Sequence, residues 1–239
     1  MAEKIRLVKS ETVRLSKVVD SLKKVTAGMG WKPSGHNEED WDLDQSLLVI
    51  GSNGMIAKEI SWRNKERSRE FLYHGDDLVG GSGYGEQDDE QIDINFQNLS
   101  SSYTRIIVVM NIYRAFEKRQ KLSQVHNAYI RLRDEGTGKE LVEYRIENTP
   151  QFDRMTGMVV GEFYKENGEW VFKAVGEPVC VSSIDRLVGI VAQKFAYATF
   201  AEKKWEDFLR DDVISDQWPG GSDNSGSSRR NSFFGRLFG

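Results

Sequence analysis

Two stretches of this 239-residue chain concentrate carboxylates at a density suited to binding a cation. From Glu70 to Thr104 there is no Lys or Arg, while Glu70, Asp76, Asp77, Glu86, Asp88, Asp89, Glu90 and Asp93 supply eight acids. Pro33 to Ala57 is also free of Lys and Arg and carries Glu38, Glu39, Asp40, Asp42 and Asp44. Carboxylates about 4 Å apart repel by about 1 kcal/mol in water and about 4 kcal/mol in an intermediate dielectric. A hard dication relieves that repulsion, and calcium accepts roughly six to eight oxygens from carboxylates, carbonyls and water in a flexible geometry. The five glycines between His74 and Gln91 fit the same chemistry, because a loop wrapped around an ion must turn tightly. Histidine or cysteine ligands would instead have indicated zinc or a softer metal.

The spacing is not that of an EF-hand. Counted from Asp40, acids stand at loop positions one, three and five, but Gln45 occupies position six and Gly51 position twelve. Counted from Asp76, Leu78 and Gly80 fall where ligands are required. The expectation is a site assembled from separate loops at one end of a fold, with Asp42-Leu43-Asp44 and Asp88-Asp89-Glu90 approaching Gly75-Asp76-Asp77. The glycines Gly81, Gly83 and Gly85 could also suggest a phosphate loop, but no Lys or Arg stands nearby in the sequence and carboxylates repel phosphate. The same lack of cations argues against metal-assisted phosphoester hydrolysis, so the reading is non-enzymatic. An isolated charge run would be read as a solvated surface. His74, beside the acids, is read as a structural hydrogen-bonding residue.

The elements that must position these acids are mostly strands. Period-two alternation runs through Ile92, Ile94 and Phe96, and the β-branched run RIIVVMNIY reads as a central strand buried on both faces. Two hairpins follow, one turning between Asp134 and Glu140 and one at Asn167-Gly168, a pair suited to a type I′ turn. With SLLVIGS and AKEISWRN there are at least seven strands and no intervening helices, which predicts an all-β antiparallel sandwich. After Pro178, apolar residues from Ile184 to Leu209 recur at helical spacing and predict one long helix, broken if anywhere near Gly189.

The ordered blocks Gly30-Trp31, Asp42-Leu43-Asp44 with Ser46, His74-Gly75-Asp76, Asp88-Asp89-Glu90, Val125 with Asn127-Ala128, and WVFKAVG from Trp170 to Gly176 resemble the TerD family of tellurite-resistance and bacterial stress proteins. The resemblance spans roughly residues 5 to 180. It implies a calcium-binding β-sandwich and a role in resistance to tellurite or general stress. Carried onto this chain, it implies calcium ligands at Asp42, Asp44, Asp76, Asp77, Asp88, Asp89 and Glu90. The chain departs from the family pattern with Asp77 in place of Asn, Lys32 in place of Asp, and a longer spacer ending in Gln87.

The rest of the composition sets the context. A net charge of −4 argues against a surface devoted to nucleic acid. No apolar run approaches membrane-span length, the first residues lack a secretory signal, and the single Cys180 cannot form an internal disulfide, so a cytoplasmic protein is expected. The expected organisation is a sandwich over 1–180, a helical extension over 181–214 and a flexible Gly/Ser-rich tail over 215–239. The tail ends in RRNSFFGRLFG, where Arg229, Arg230 and Arg236 accompany Phe233, Phe234 and Phe238. That composition suits a membrane surface or a docking peptide for a protein partner, which would make the helix and tail the working part and calcium merely structural.

Overall fold

The computed structural model describes residues 5–14, 23–33, 41–75, 88–146, 150–210 and 215–219. These form two six-stranded sheets packed face to face, as the alternation predicts. The first sheet orders its strands β1 (Ile5–Leu7), β10 (Glu140–Arg145), β9 (Val125–Asp134), β3 (Lys24–Pro33), β7 (Glu90–Asn95) and β6 (Phe71–Tyr73). The second runs β2 (Thr12–Arg14), β12 (Glu169–Val179), β11 (Gly157–Glu166), β8 (Tyr103–Ile112), β4 (Leu43–Gly51) and β5 (Ile56–Ile60). Neighbours are antiparallel except β1, which runs parallel to β10.

The core lies between the sheets. Val25, Ala27, Met29 and Trp31 from β3 meet Leu43, Leu47 and Val49 from β4 and Ile106, Val108 and Met110 from β8. On β8 the alternate residues Ile107 and Val109 face the other way, into a second cluster with Leu48, Ile50 and the helix α2 (Ile184–Ala196). This explains why β8 reads as continuously apolar: one face meets the first sheet and the other lies under a helix. The second hairpin turns where expected, with Asn167 and Gly168 both at positive φ, 54° and 84°.

The C-terminal helix differs from the expectation. It passes through Gly189 without a break, where a Cβ would meet nothing within 4 Å. One glycine costs a helix only about 1 kcal/mol, which packing of Leu187, Ile190 and Val191 on the sheet overrides. The chain breaks instead at Tyr197, in extended conformation, and continues as α3 (Ala198–Ala201) and α4 (Trp205–Leu209). Buried Lys194 holds the reversal by donating from Nζ to the carbonyls of Phe200 (2.9 Å) and Lys203 (2.7 Å). A short helix α1 (Ala115–Lys118) and 3-10 turns at Leu122–Gln124 and Pro150–Phe152 complete the described chain. No helix among the described residues is long and apolar enough to cross a membrane. Most of the tail, 220–239, lies outside the described residues, as do 211–214 of the helical extension.

Candidate metal centre at the acidic end of the sandwich

One end of the sandwich brings together the start of β4, the end of β3 and the start of β7. Trp31 is the junction. It is fully buried; its indole Nε1 donates to the Trp41 carbonyl at 3.1 Å, and its backbone N–H donates to Asp89 Oδ2 at 3.0 Å. The Asp89 amide donates in turn to the Met29 carbonyl at 2.8 Å. The segment before β4 and the segment before β7 are thereby tied to one strand, so two acidic stretches far apart in sequence share one edge.

Glu90 crosses between the sheets. It follows the inward parity of Ile92 and Ile94, and its Oε2 accepts the Gln45 backbone N–H on β4. That N–H is open to it because β5 pairs with β4 only over Leu47 to Ile50. Asp44 lies on the opposite face of β4, directly across from Asn111, whose Nδ2 is 3.5 Å from Asp44 Oδ2. The Asp42 carbonyl accepts from the Tyr113 amide at 2.8 Å, which fixes that segment against the end of β8. Asp44, Asp89 and Glu90 are buried, at 5%, 7% and 2% exposure.

Asp88 does something different. Its carboxylate accepts from Arg131 Nε and Arg133 Nη2, each at 2.5 Å, from the Tyr129 hydroxyl at 3.2 Å and from Gln91 Nε2 at 3.2 Å. Burial and this carboxylate together push the Tyr129 phenol up, while Asp88 holds Arg131 charged against the opposing pull of burial. Cations missing from the sequence neighbourhood are therefore supplied by β9, two strands away. Arg131 and Arg133 alternate on one face of a strand, and that was the signal that could have revealed them.

Asp76 and Asp77 lie in 76–87, outside the described residues. Among the described residues, no three His, Cys, Asp or Glu side chains stand close enough to hold a metal ion. His74 bears out its structural reading, with Nε2 2.8 Å from Asp93 Oδ2. Sequence reasoning also missed the polar groups buried beside the acids. Both amide atoms of Gln45, the Ser46 hydroxyl and Asn111 Oδ1 are buried with no hydrogen-bond partner among the described residues. Such groups cost roughly 1–3 kcal/mol each when unsatisfied, so they fit a place where a further polar species is held.

Among the described residues, two facing six-stranded sheets, with the starts of β4 and β7 meeting the end of β3 at one end, define the class of protein. The TerD domain model matches residues 3–189, and the chain belongs to the TerD family. It is 35% identical over 176 residues to "Tellurium resistance protein TerD" of Serratia marcescens, covering 72% of this chain and 90% of that protein. It is 33% identical over 176 residues to "General stress protein 16U" of Bacillus subtilis (strain 168), covering 72% and 89%. The fold is also that of a crystallised homologue of telluride resistance protein (TerD), SCO6318 from Streptomyces coelicolor A3(2). That match has a TM-score of 0.51 and 20% identity over 68% of this chain and 92% of that one. The relatives' names place the chain among resistance and stress-response proteins.

Proposed function

We propose that this is a non-catalytic, calcium-binding stress-response protein of the TerD type, a cytoplasmic scaffold whose acidic end is fixed by the ion. The observation that carries the reading is Glu90, a carboxylate 2% exposed and driven into the gap between the sheets, where its Oε2 accepts the Gln45 backbone N–H of β4. The donors at this end are hard oxygens: Glu90 and Asp89 at the start of β7 with the buried Gln45 amide oxygen on the inner face of β4, and Asp44 with the buried Asn111 amide oxygen on its opposite face. Asp76 and Asp77 would join them from the glycine-rich loop. Bound calcium would supply the positive charge that lets these carboxylates share one end of the molecule. A non-catalytic role is supported by the side chains that could act as nucleophile or base. His74 is engaged by Asp93, and Cys180 is buried, its thiol pushed up to about 11 by burial and by the Asp216 carboxylate.

The test is thermal unfolding of the full chain in chelator, in calcium and in magnesium. An ion that binds the native end and not the unfolded chain adds about 2.7 kcal/mol at a hundred times its dissociation constant. The expected result is a melting temperature raised by calcium and not matched by magnesium, with the gain lost in Glu90→Gln. Equal melting in chelator and millimolar calcium would overturn the proposal.

A second reading, in which the tail recruits a membrane surface or a protein partner and calcium is only structural, is favoured by one observation. Residues 215–219 strap the chain back toward the acidic end. Asp216 accepts from the Ser182 amide and hydroxyl (both 2.7 Å) and from Arg186 Nε (2.9 Å). Trp218 packs edge-on against Phe116, with ring centroids 5.4 Å apart, and lies under Lys121. Phe116 is three residues beyond Tyr113, whose amide donates to the Asp42 carbonyl, so Trp218 lies toward the acidic side of the sandwich. Retention of the full chain on anionic vesicles, lost on deletion of Ser232 to Gly239 and indifferent to calcium, would favour this reading over the first.

A further inference from the structure

Strand alternation would place Asp88 on the same face as Glu90, Ile92 and Ile94, pointing into the sandwich. The structure places it on the opposite face. Ladder pairing ends at Glu90, the chain bends at Asp89, and the Asp88 side chain, 0% exposed, lies on the outer surface of the first sheet. It rests on Gly28, where any Cβ would overlap its carboxylate. Gly28 stands opposite Arg131 in the register of β3 with β9, and Thr26 stands opposite Arg133, so the two guanidiniums flank the bare backbone on which the carboxylate sits. Three consecutive acids thus take three directions: Asp88 outward to the arginines, Asp89 along the edge to the Trp31 amide, and Glu90 inward to the Gln45 amide.

We infer that Asp88 is a positioning residue and not a calcium ligand: clamped by Arg131 and Arg133 over Gly28, it anchors the bend that aims Asp89 and Glu90 at the acidic end. The inference rests on the calcium reading for what the bend presents, but the anchor itself is a property of the metal-free fold. Asp88 is already satisfied by four donors, two of them guanidinium groups, so breaking away to meet an ion would leave two cations at the sheet surface without their shared partner. The same geometry accounts for Gly28 in the interior of a strand, where glycine is otherwise unfavourable and often marks a close approach of another group.

The experiment compares the full chain with Asp88→Asn, Gly28→Ala, Arg133→Gln and Glu90→Gln. Amide exchange is followed in chelator, and calcium binding is followed by calorimetry. In chelator, the amides of Asp89 and Trp31 should exchange faster in the first three variants than in the parent. In calcium, those three should keep the parent's stoichiometry with affinity reduced roughly 10–100-fold, the usual cost of removing a group that orients ligands, while Glu90→Gln loses a site. Arg133→Gln carries the test if Gly28→Ala does not fold, because Arg133 lies at the partly exposed side of the clamp. Loss of a whole calcium equivalent in Asp88→Asn, with Gly28→Ala and Arg133→Gln binding as the parent does, would make Asp88 a ligand and overturn the inference. Unchanged exchange of the Asp89 and Trp31 amides in Asp88→Asn would overturn it too. Failure of the parent to take up calcium would refute the proposed function and leave the exchange comparison to decide on the anchor.

Discussion

Buried polar side chains hold this sandwich together at points where apolar packing cannot, and two of them give direct tests. Thr156 is fully buried, donates from Oγ1 to the Val181 carbonyl at 2.6 Å and accepts the Val181 amide at 2.8 Å, joining the start of β11 to the segment before α2. Replacing it with the isosteric valine strands both backbone groups. Thr156→Val should lower stability by roughly 1–3 kcal/mol in urea unfolding. Lys194 is the second case. Its Nζ lies over the rings of Phe195, Trp205 and Phe208, and burial pulls its pKa down to about 8, against the opposing influence of the Glu162 carboxylate; Arg105, Lys173 and Lys203 reinforce the downward pull. Below about pH 8 the folded and unfolded chains both carry the proton, so this group makes no difference to the pH dependence. Between about 8 and the ordinary value of 10.5 only the unfolded chain carries it, and stability must rise with pH. The melting temperature of the protein relative to Lys194→Met should therefore be level from pH 6 to 7 and climb from pH 8 to 10. A relative stability that falls over the upper range would show the charged form to be the favoured one in the fold.

At the scale of elements, a strap and a turn carry the clearest consequences. Asp216 ties the chain to Ser182 and Arg186, and its amide donates to the Cys180 carbonyl at 2.8 Å. Asp216→Ala should expose that edge and speed alkylation of Cys180 at neutral pH, whereas the parent thiol, 4% exposed, should react only slowly. Gly168 sits at φ 84° in the β11–β12 turn, so Gly168→Ala should cost about 1 kcal/mol without altering the fold. The strands that were legible were those with uninterrupted alternation or β-branched runs, such as β7 and β8. β3 was not, although Val25, Ala27, Met29 and Trp31 alternate inward as well as any, because Gly28 and Gly30 occupy its outer face where polar side chains are expected. Those glycines are explained only by partners from elsewhere: Asp88 covers Gly28, and the Tyr129 ring covers Gly30. The helix break was misread for a related reason, since Gly189 marks a site of low propensity while the reversal depends on Lys194 reaching carbonyls six and nine residues ahead.

Across the whole molecule, the acidic stretches were legible as a cation site in prospect, but their division of labour was not. The sequence shows seven carboxylates in three short blocks; it does not show that a bend at Asp89 sends Asp88 to two arginines on β9 while Glu90 enters the sandwich beside β4. Long-range pairing decides which acid meets guanidinium groups and which meets a backbone amide. The account therefore stands or falls on calcium at one end of the sandwich, with Asp44 and Glu90 among its ligands. Titration calorimetry of metal-stripped full chain, beside Asp44→Asn and Glu90→Gln, measures this directly. The account predicts saturable calcium binding by the parent and loss of at least one equivalent in each variant. No heat of binding up to millimolar calcium, or full stoichiometry retained in both variants, would contradict it.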